Sequence, residues 1–321
     1  MKLDTLTTIA VAFLLVACNR DNGEISPDNR NNEIRLRSGV TTLTRAYGFD
    51  TQIAVGEKIN VWVEDKNAMP LYENNLLTAD GNGGFSYQTT MYYISPSPVN
   101  IYAIHTNPTY TETAFPTNGN PIIHKAETDQ TTPAAYIASD LLFAVKKEVG
   151  STPDAVPLTF YHMLSKVEVV LKPGNGNPDL TGAVVTIDNT RPQARFLPDK
   201  NADISSPTAR AGMVEASESI TPITIPTRTT TDFNAPDTQY AEAIVVPQTV
   251  AAGETFIRVK LPPSDGRTFA YKIPADASLK LESGKKYIYN ITVDLNDLHV
   301  ETTIEDWETV GQPREGSAFP E

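Results

Sequence analysis

Apolar residues recur at every second position along much of this chain. In GFSYQTTMYY, Phe85, Tyr87, Met91 and Tyr93 occupy odd positions, with mostly polar residues between them. That period marks a strand with one buried face. VNIYAIH places Val99, Ile101 and Ala103 in the same way, and TFIRVKL sets Ile257, Val259 and Leu261 against Arg258 and Lys260. KKYIYNITV aligns Tyr287, Tyr289, Ile291 and Val293, and HVETTIEDW continues with Val300, Thr302 and Ile304. Turn-rich pieces (ADGNGG, SPSP, KPGNGNPD, PPSDG) separate the runs. Helical periodicity is scarce, and one short helix is predicted over 134–142 in PAAYIASDLL. The pattern predicts an all-β protein built as antiparallel sandwiches.

An earlier run is equally regular. Ile34, Leu36 and Val40 lie at even positions, and Glu33, Arg35 and Arg37 at odd ones. Residues 33–42 are therefore predicted to form a strand with one apolar face. Arg45-Ala46 follows at once, close to Gly48. Further on, KKEVGSTPDAV over 146–156 is polar, holds Gly150 and Pro153, and precedes the patterned run PLTFYHMLSKVEVVL. This places a boundary between an N-terminal domain over 46–152 and a C-terminal domain over 153–321, whose patterned part ends near 312. Two domains suit the length.

Composition narrows the setting. The net charge of −13 argues against nucleic acid and anionic lipid surfaces as partners. Cys18 is the single cysteine, so no intramolecular disulfide forms. Before it, Lys2 gives a short basic start and residues 6–17 are mostly apolar. That run is shorter than the ~20 residues of a membrane-spanning helix but suits the core of a signal peptide. Leu15-Val16-Ala17-Cys18 resembles the lipobox of bacterial lipoproteins, with Asp4 a departure from the usual basic start. The resemblance implies a signal peptide over 1–17, cut before Cys18, and lipid attached at Cys18. The polar stretch CNRDNGEISPDNRNNE then reads as a tether. The membrane would be met only through the lipid.

A wider likeness covers nearly all of the chain beyond that point. EIRLRSGVTTLTRA with VGEKINVWV, LTFYHMLSKVEVVL, AIVVPQTVAAGETFIRVKL and LKLESGKKYIYNITVDLNDLHVETTIEDW follow one another in an order and spacing similar to the fimbrillins. These are subunits of the type V pili of Gram-negative anaerobes and their Mfa-like relatives. The resemblance implies two transthyretin-like β-sandwich domains and delivery to the outer membrane as a lipoprotein precursor. It implies an Arg-specific surface protease that removes residues 18–45 by cutting between Arg45 and Ala46. Arg37 is the alternative site, but a cut there leaves part of the strand behind. Other pilin subunits would then add a strand to the vacated groove, and the assembled fimbria would serve adhesion to a host or bacterial surface receptor. Read from the residues alone, Arg45 is also compatible with a solvated loop arginine, and the chain with a monomeric surface lipoprotein that binds glycan or host protein, or with an anchor that keeps its lipid. The stretch after Trp307, ETVGQPREGSAFPE, is a poor strand for insertion.

No catalytic or cofactor-binding constellation is found, and no metal site is assigned. His105, His124, His162 and His299 lie far apart and outside any HExxH spacing. DGNGG at 80–84 lacks the acids of a calcium loop and reads as a hairpin turn. DLNDLHVE at 294–301 carries two aspartates on or beside a strand, and a calcium site is not the preferred reading there. Trp62 and Trp307 flank strand patterns and are expected in the core rather than on a sugar platform.

Overall fold

The computed structural model describes residues 32–40, 52–217, 219–229 and 237–307. Cys18, Arg45 and Ala46 lie outside them. The first elements are β1 (Leu36–Val40), β2 (Lys58–Asp65), β3 (Pro70–Ala79), β4 (Phe85–Tyr87), β5 (Val99–His105), β6 (Ile122–Lys125), α1 (Pro133–Ala138), β7 (Leu142–Val149) and β8 (Val156–His162). Then come β9 (Ser165–Pro173), β10 (Val184–Ile187), β11 (Gln193–Phe196), α2 (Pro207–Ala211), β12 (Val214–Ala216), β13 (Ile223–Pro226), β14 (Arg228–Thr229) and β15 (Gln239–Val245). The chain continues through β16 (Gln248–Val250), β17 (Thr255–Lys260), β18 (Thr268–Lys272), β19 (Leu279–Leu281), β20 (Lys285–Val293) and β21 (Leu298–Asp306).

A seven-stranded sheet in the order β1-β8-β7-β5-β2-β3-β4 forms the first half. One face encloses Ile59, Val61, Val63, Leu77, Ile101, Ala103, Leu158 and Phe160. In the second half, a four-stranded sheet (β13-β10-β17-β18) faces a five-stranded sheet (β14-β15-β9-β20-β21). The expected faces fill the core between them: Ile257, Val259 and Leu261 meet Tyr287, Tyr289, Ile291 and Val293.

A third core joins the halves. Trp62, Tyr102 and Phe143, on the opposite face of the first sheet, pack with Phe196, Met213, Ile244 and Trp307. Burial on both faces explains why β2 reads as a nearly unbroken apolar run rather than a clean alternation. Hydrogen bonds cross the junction too, because β6 pairs antiparallel with β11.

Val156–His162 follows the expected boundary in sequence, yet β8 pairs with β1 and β7, so the sheets change over at 163–165. Two expectations need revision. The short helix ends at Ala138, and Leu142 already begins a strand. Its start follows capping rules: Thr132 Oγ1 accepts the Ala135 N–H at 3.2 Å, with proline opening the first turn. Along β21, Leu298 and Val300 are buried but Ile304 is 56% exposed, while Thr303 on the other face is buried. The inner core has ended by Ile304.

Candidate functional site: the seat of the N-terminal strand

The strand predicted over 33–42 is present as β1, and it occupies an unusual position. On one side it runs parallel to β8, with Leu36 opposite Val156 and Ser38 opposite Leu158. On the other it runs antiparallel to the stretch 83–93. Ile34 N–H donates to Met91 O at 2.8 Å, Ser38 N–H to Gly83 O at 2.7 Å, and Tyr93 N–H to Asn32 O at 2.7 Å. Between these, Leu36 N–H donates to the Tyr87 hydroxyl at 2.6 Å. β1 thus closes the first sheet on itself, and the backbone of 34–38 is held from both sides.

The alternation decides which side chains enter. Ile34, Leu36 and Ser38 are buried, whereas Arg35 and Arg37 are exposed. Ile34 and Leu36 pack in the core of the first half with Met91, Tyr93, Leu158 and Phe160. Each large apolar side chain so buried contributes about 1.5–3 kcal/mol. Arg35 also donates to Pro153 O, tying the strand to the loop before β8.

The far wall is built by the 80–84 turn and the aromatic run after it. Asp80 Oδ1 accepts the N–H groups of Asn82 and Gly84 at 2.7 and 2.9 Å. Gly83 adopts φ +87° and brings its carbonyl to Ser38; a side chain there would be strained and would crowd the Ser38 carbonyl at 3.3 Å. Burial pushes the Tyr87 hydroxyl above its usual pKa, so it remains protonated and can both accept from Leu36 and donate. The odd-position reading of GFSYQTTMYY holds, although β4 ends at Tyr87 and the strand is interrupted before Met91. Its part as the wall of a strand seat was not legible: the one clue was a tyrosine on the buried face, whose hydroxyl needs a partner.

Of the residues tied to processing, Arg37 alone is described. It sits mid-strand opposite Pro157, and a protease would have to unpair β1 to reach it.

The remaining candidates are structural. Trp62 is buried and donates to Thr113 O at 2.9 Å. Trp307 is buried and stacks on His162 at 3.8 Å and 13°, and His162 Nδ1 lies 2.7 Å from Asp140. His124 is enclosed beside Thr106, the Asn107 N–H and Ser139 O, and burial lowers its pKa to about 4 against the opposing Ser139 hydrogen bond. His105 faces Lys58 O at 3.0 Å. Asp294, Asp297 and His299 do come together, with ligand atoms within 4.8 Å of one another. Asp294 there accepts the Asn175 N–H and faces His299 Nε2 at 3.2 Å, so these groups already satisfy each other.

Sequence reasoning also missed a buried charge cluster on the outer face of the five-stranded sheet. Lys166 Nζ lies 2.6 Å from Glu242 and 3.0 Å from Glu168. Burial alone would lower the Lys166 pKa, but Glu242 and its neighbours hold it well above the ordinary value. Burial would raise that of Glu168, yet Lys166 and Lys286 keep it below.

A family model described as fimbrillin-like matches residues 44–307. The chain belongs to this fimbrillin-like family. Such proteins are structural components of fimbriae rather than enzymes. A relative in Bacteroides uniformis named "Putative fimbrium subunit Fim1C" is 26% identical, with 96% of each chain covered. A crystal structure described as that of "a putative cell adhesion protein from Bacteroides ovatus" superposes with a TM-score of 0.63 at 19% identity, over 87% of this chain and 99% of that one. A second, from Bacteroides uniformis, gives 0.58 at 22% identity, over 86% and 98%. These likenesses show the fold. The fimbrillin-like match begins at residue 44, beyond β1.

Proposed function

We propose that this chain is a subunit of a cell-surface fimbria in which β1 is a removable occupant. The protein would reach the outer membrane through lipid on Cys18. An Arg-specific protease would cut between Arg45 and Ala46, freeing β1 and its lipid together. The open seat would then receive a strand from another pilin subunit. The observation that carries this reading is that β1 is held between β8 and residues 83–93 by its own N–H groups and two buried apolar side chains. Withdrawing it leaves a row of unpaired backbone groups beside an apolar slot, which is a template for strand addition. The family match starting at 44 and the pairing that protects Arg37 both favour the cut at Arg45.

The seat sets terms for its next occupant. It needs apolar side chains at the positions of Ile34 and Leu36, a small one at Ser38, and no proline at any of the three, because each N–H is used. This chain offers no obvious donor of its own. The stretch after Trp307 holds two prolines and two glycines, and the better run at Leu298–Val300 is buried in its own core. In this reading the chain accepts a strand at the seat, its place as stalk or tip subunit left open, and the second reading is an anchor that keeps its lipid and its strand.

Mass spectrometry of the mature N-terminus, taken from surface material of the native host, separates the two. Ala46 at the N-terminus supports strand exchange. An acylated Cys18 in assembled material overturns it in favour of the anchor.

A further inference from the structure

The two ends of the β1 seat are unlike. At the Val40 end, β8 runs on through His162 towards β9 in the second half, and Ile104, Phe143 and Met163 enter the shared core. Gln52 also returns there and donates to Gly81 O. At the other end, where β1 begins, three loops come together: 66–69, 94–98 and 150–155. Strand pairing gathers them, because Asp65 lies opposite Val99, Val99 opposite Val149, and Val156 opposite Leu36. The Tyr72 hydroxyl accepts the Tyr92 N–H at 2.9 Å, joining the start of β3 to the run that leads into Ile94.

This pole is apolar, exposed and preformed. Met69 is 62% exposed and Ile94 67%, and Ala68, Pro96, Pro153 and Ala155 on the same loops are exposed too. Val55, also exposed, lies beside Gly81 at the opposite end. Lys66 and Asp154, of opposite sign, are the only charges in the three loops, on a chain of net charge −13. Asp65 Oδ1 accepts the Asn67 and Met69 N–H groups at 2.8 and 2.9 Å. Ala68 is held at φ +62°, a strained conformation for alanine that fixes Met69 on the outside of the turn. Thr152 Oγ1 accepts the Asp154 N–H at 3.1 Å, and Ser95 Oγ the Ser97 N–H at 3.2 Å. Large apolar side chains held in water on braced loops mark a contact surface, and bracing lowers the ordering cost of using it.

We propose that this pole is the docking face for the neighbouring fimbrial subunit whose strand fills the seat, an inference that rests on the strand-exchange reading above. A strand from another molecule must arrive at one end of the seat. The Val40 end leads into this chain's own second half, so the neighbour stands at the Asn32 end and its body covers Met69 and Ile94. A nearly neutral apolar pole fits a partner face that is itself apolar and poor in charge. Strand and pole then act as linked contacts, each raising the effective concentration of the other.

The test is maleimide labelling of intact fimbriae from the native host, read by mass spectrometry at the substituted position. Met69→Cys and Ile94→Cys should label at least about tenfold more slowly in fimbriae than in the purified, unassembled full chain. Thr159→Cys, on the exposed flank of β8, should label alike in both. A maleimide–diazirine crosslinker on Ile94→Cys should join it to an identified fimbrial subunit. Met69→Lys combined with Ile94→Lys should cut assembled material at least about tenfold, the size of losing two interface anchors, with the melting temperature and processing to Ala46 unchanged. Met69→Leu with Ile94→Leu should assemble normally. Equal labelling in fimbriae and free chain, with Ala46 at the N-terminus, overturns the docking face and leaves strand exchange standing. Normal assembly of the double lysine variant overturns it as well. Protection with an acylated Cys18 retained means that the leader holds this pole against the membrane, which overturns the assignment to a subunit.

Discussion

β1 and β21 each lie at the end of a sheet, and their alternate positions read alike in sequence. Ile34, Leu36, Ser38 and Val40 stand against Leu298, Val300, Thr302 and Ile304. Their settings differ. β21 is the second arm of a hairpin and pairs antiparallel with β20 along nine residues. β1 pairs with a parallel strand more than a hundred residues away and with a stretch that is only partly strand. A hairpin closes a short loop at little entropic cost, whereas a parallel partner needs a long excursion first. The same pattern thus serves as a hairpin arm in one half and, in the proposed function, as a removable occupant in the other.

The sharpest way to break this comparison is a buried charge in each strand. Val300→Asp puts an uncompensated carboxylate in the second core and should cost about 3–5 kcal/mol, read as loss of cooperative unfolding of that half. Leu36→Asp meets the same penalty only while β1 is seated. If β1 is the removable occupant proposed above, the fold should persist while Arg-specific cleavage at Arg45 speeds up more than about tenfold. If Leu36→Asp abolishes folding altogether, β1 is as integral as β21.

Acid offers the next contrast. His124 lies in β6, in the sheet that ties the halves together, and its pKa falls to about 4 from the usual 6.5. The unfolded chain therefore binds more protons between these values. Stability is full above about pH 6.5 and declines as pH falls towards 4, by up to about 3 kcal/mol. His124→Gln should flatten that slope in a denaturant series at successive pH values. Amide exchange at Ile34 and Leu36 should be no more sensitive to the change than the first half as a whole. Selective release of β1 in acid would mean that the seat and the junction are coupled.

Smaller substitutions sharpen the picture. Tyr87→Phe deletes the acceptor of the Leu36 N–H and should cost about 0.5–1.5 kcal/mol, seen as faster hydrogen exchange at Leu36 with global stability nearly unchanged. Ile304→Ser, on the exposed end of β21, should stay within about 0.5 kcal/mol in thermal unfolding. A larger loss there would show that Ile304 is covered in solution.

Much of the scaffold was legible because half-buried strands write their burial as alternation. Ile257, Val259 and Leu261, the tyrosines and aliphatics of β20, and Ile34 and Leu36 all lie on the faces their positions predict. Trp62 and Trp307 are core residues, as their flanking patterns suggest. The seat was legible on one side only. Alternation identified the strand that occupies it, while its walls, β8 and residues 83–93, come from segments that carry no mark of pairing with β1. Lys166, Glu168 and Glu242 show the limit most plainly. In VEVVL-type alternation their charges read as a solvated face, yet that face is covered and the charges neutralise one another. Arg210, fully buried with its guanidinium against His162 O, gave no signal at all.

By itself the sequence determined the strand-rich class, the inward faces of most strands and the apolar run before Cys18, because each depends on neighbours within a few residues. Tertiary structure alone decided that β8 belongs with β1, that the two halves share a core, and that Tyr87 and Gly83 grip the N-terminal strand. Those contacts join residues tens to more than a hundred positions apart, and pairing over such distances is chosen by the packing of whole sheets rather than by any local period.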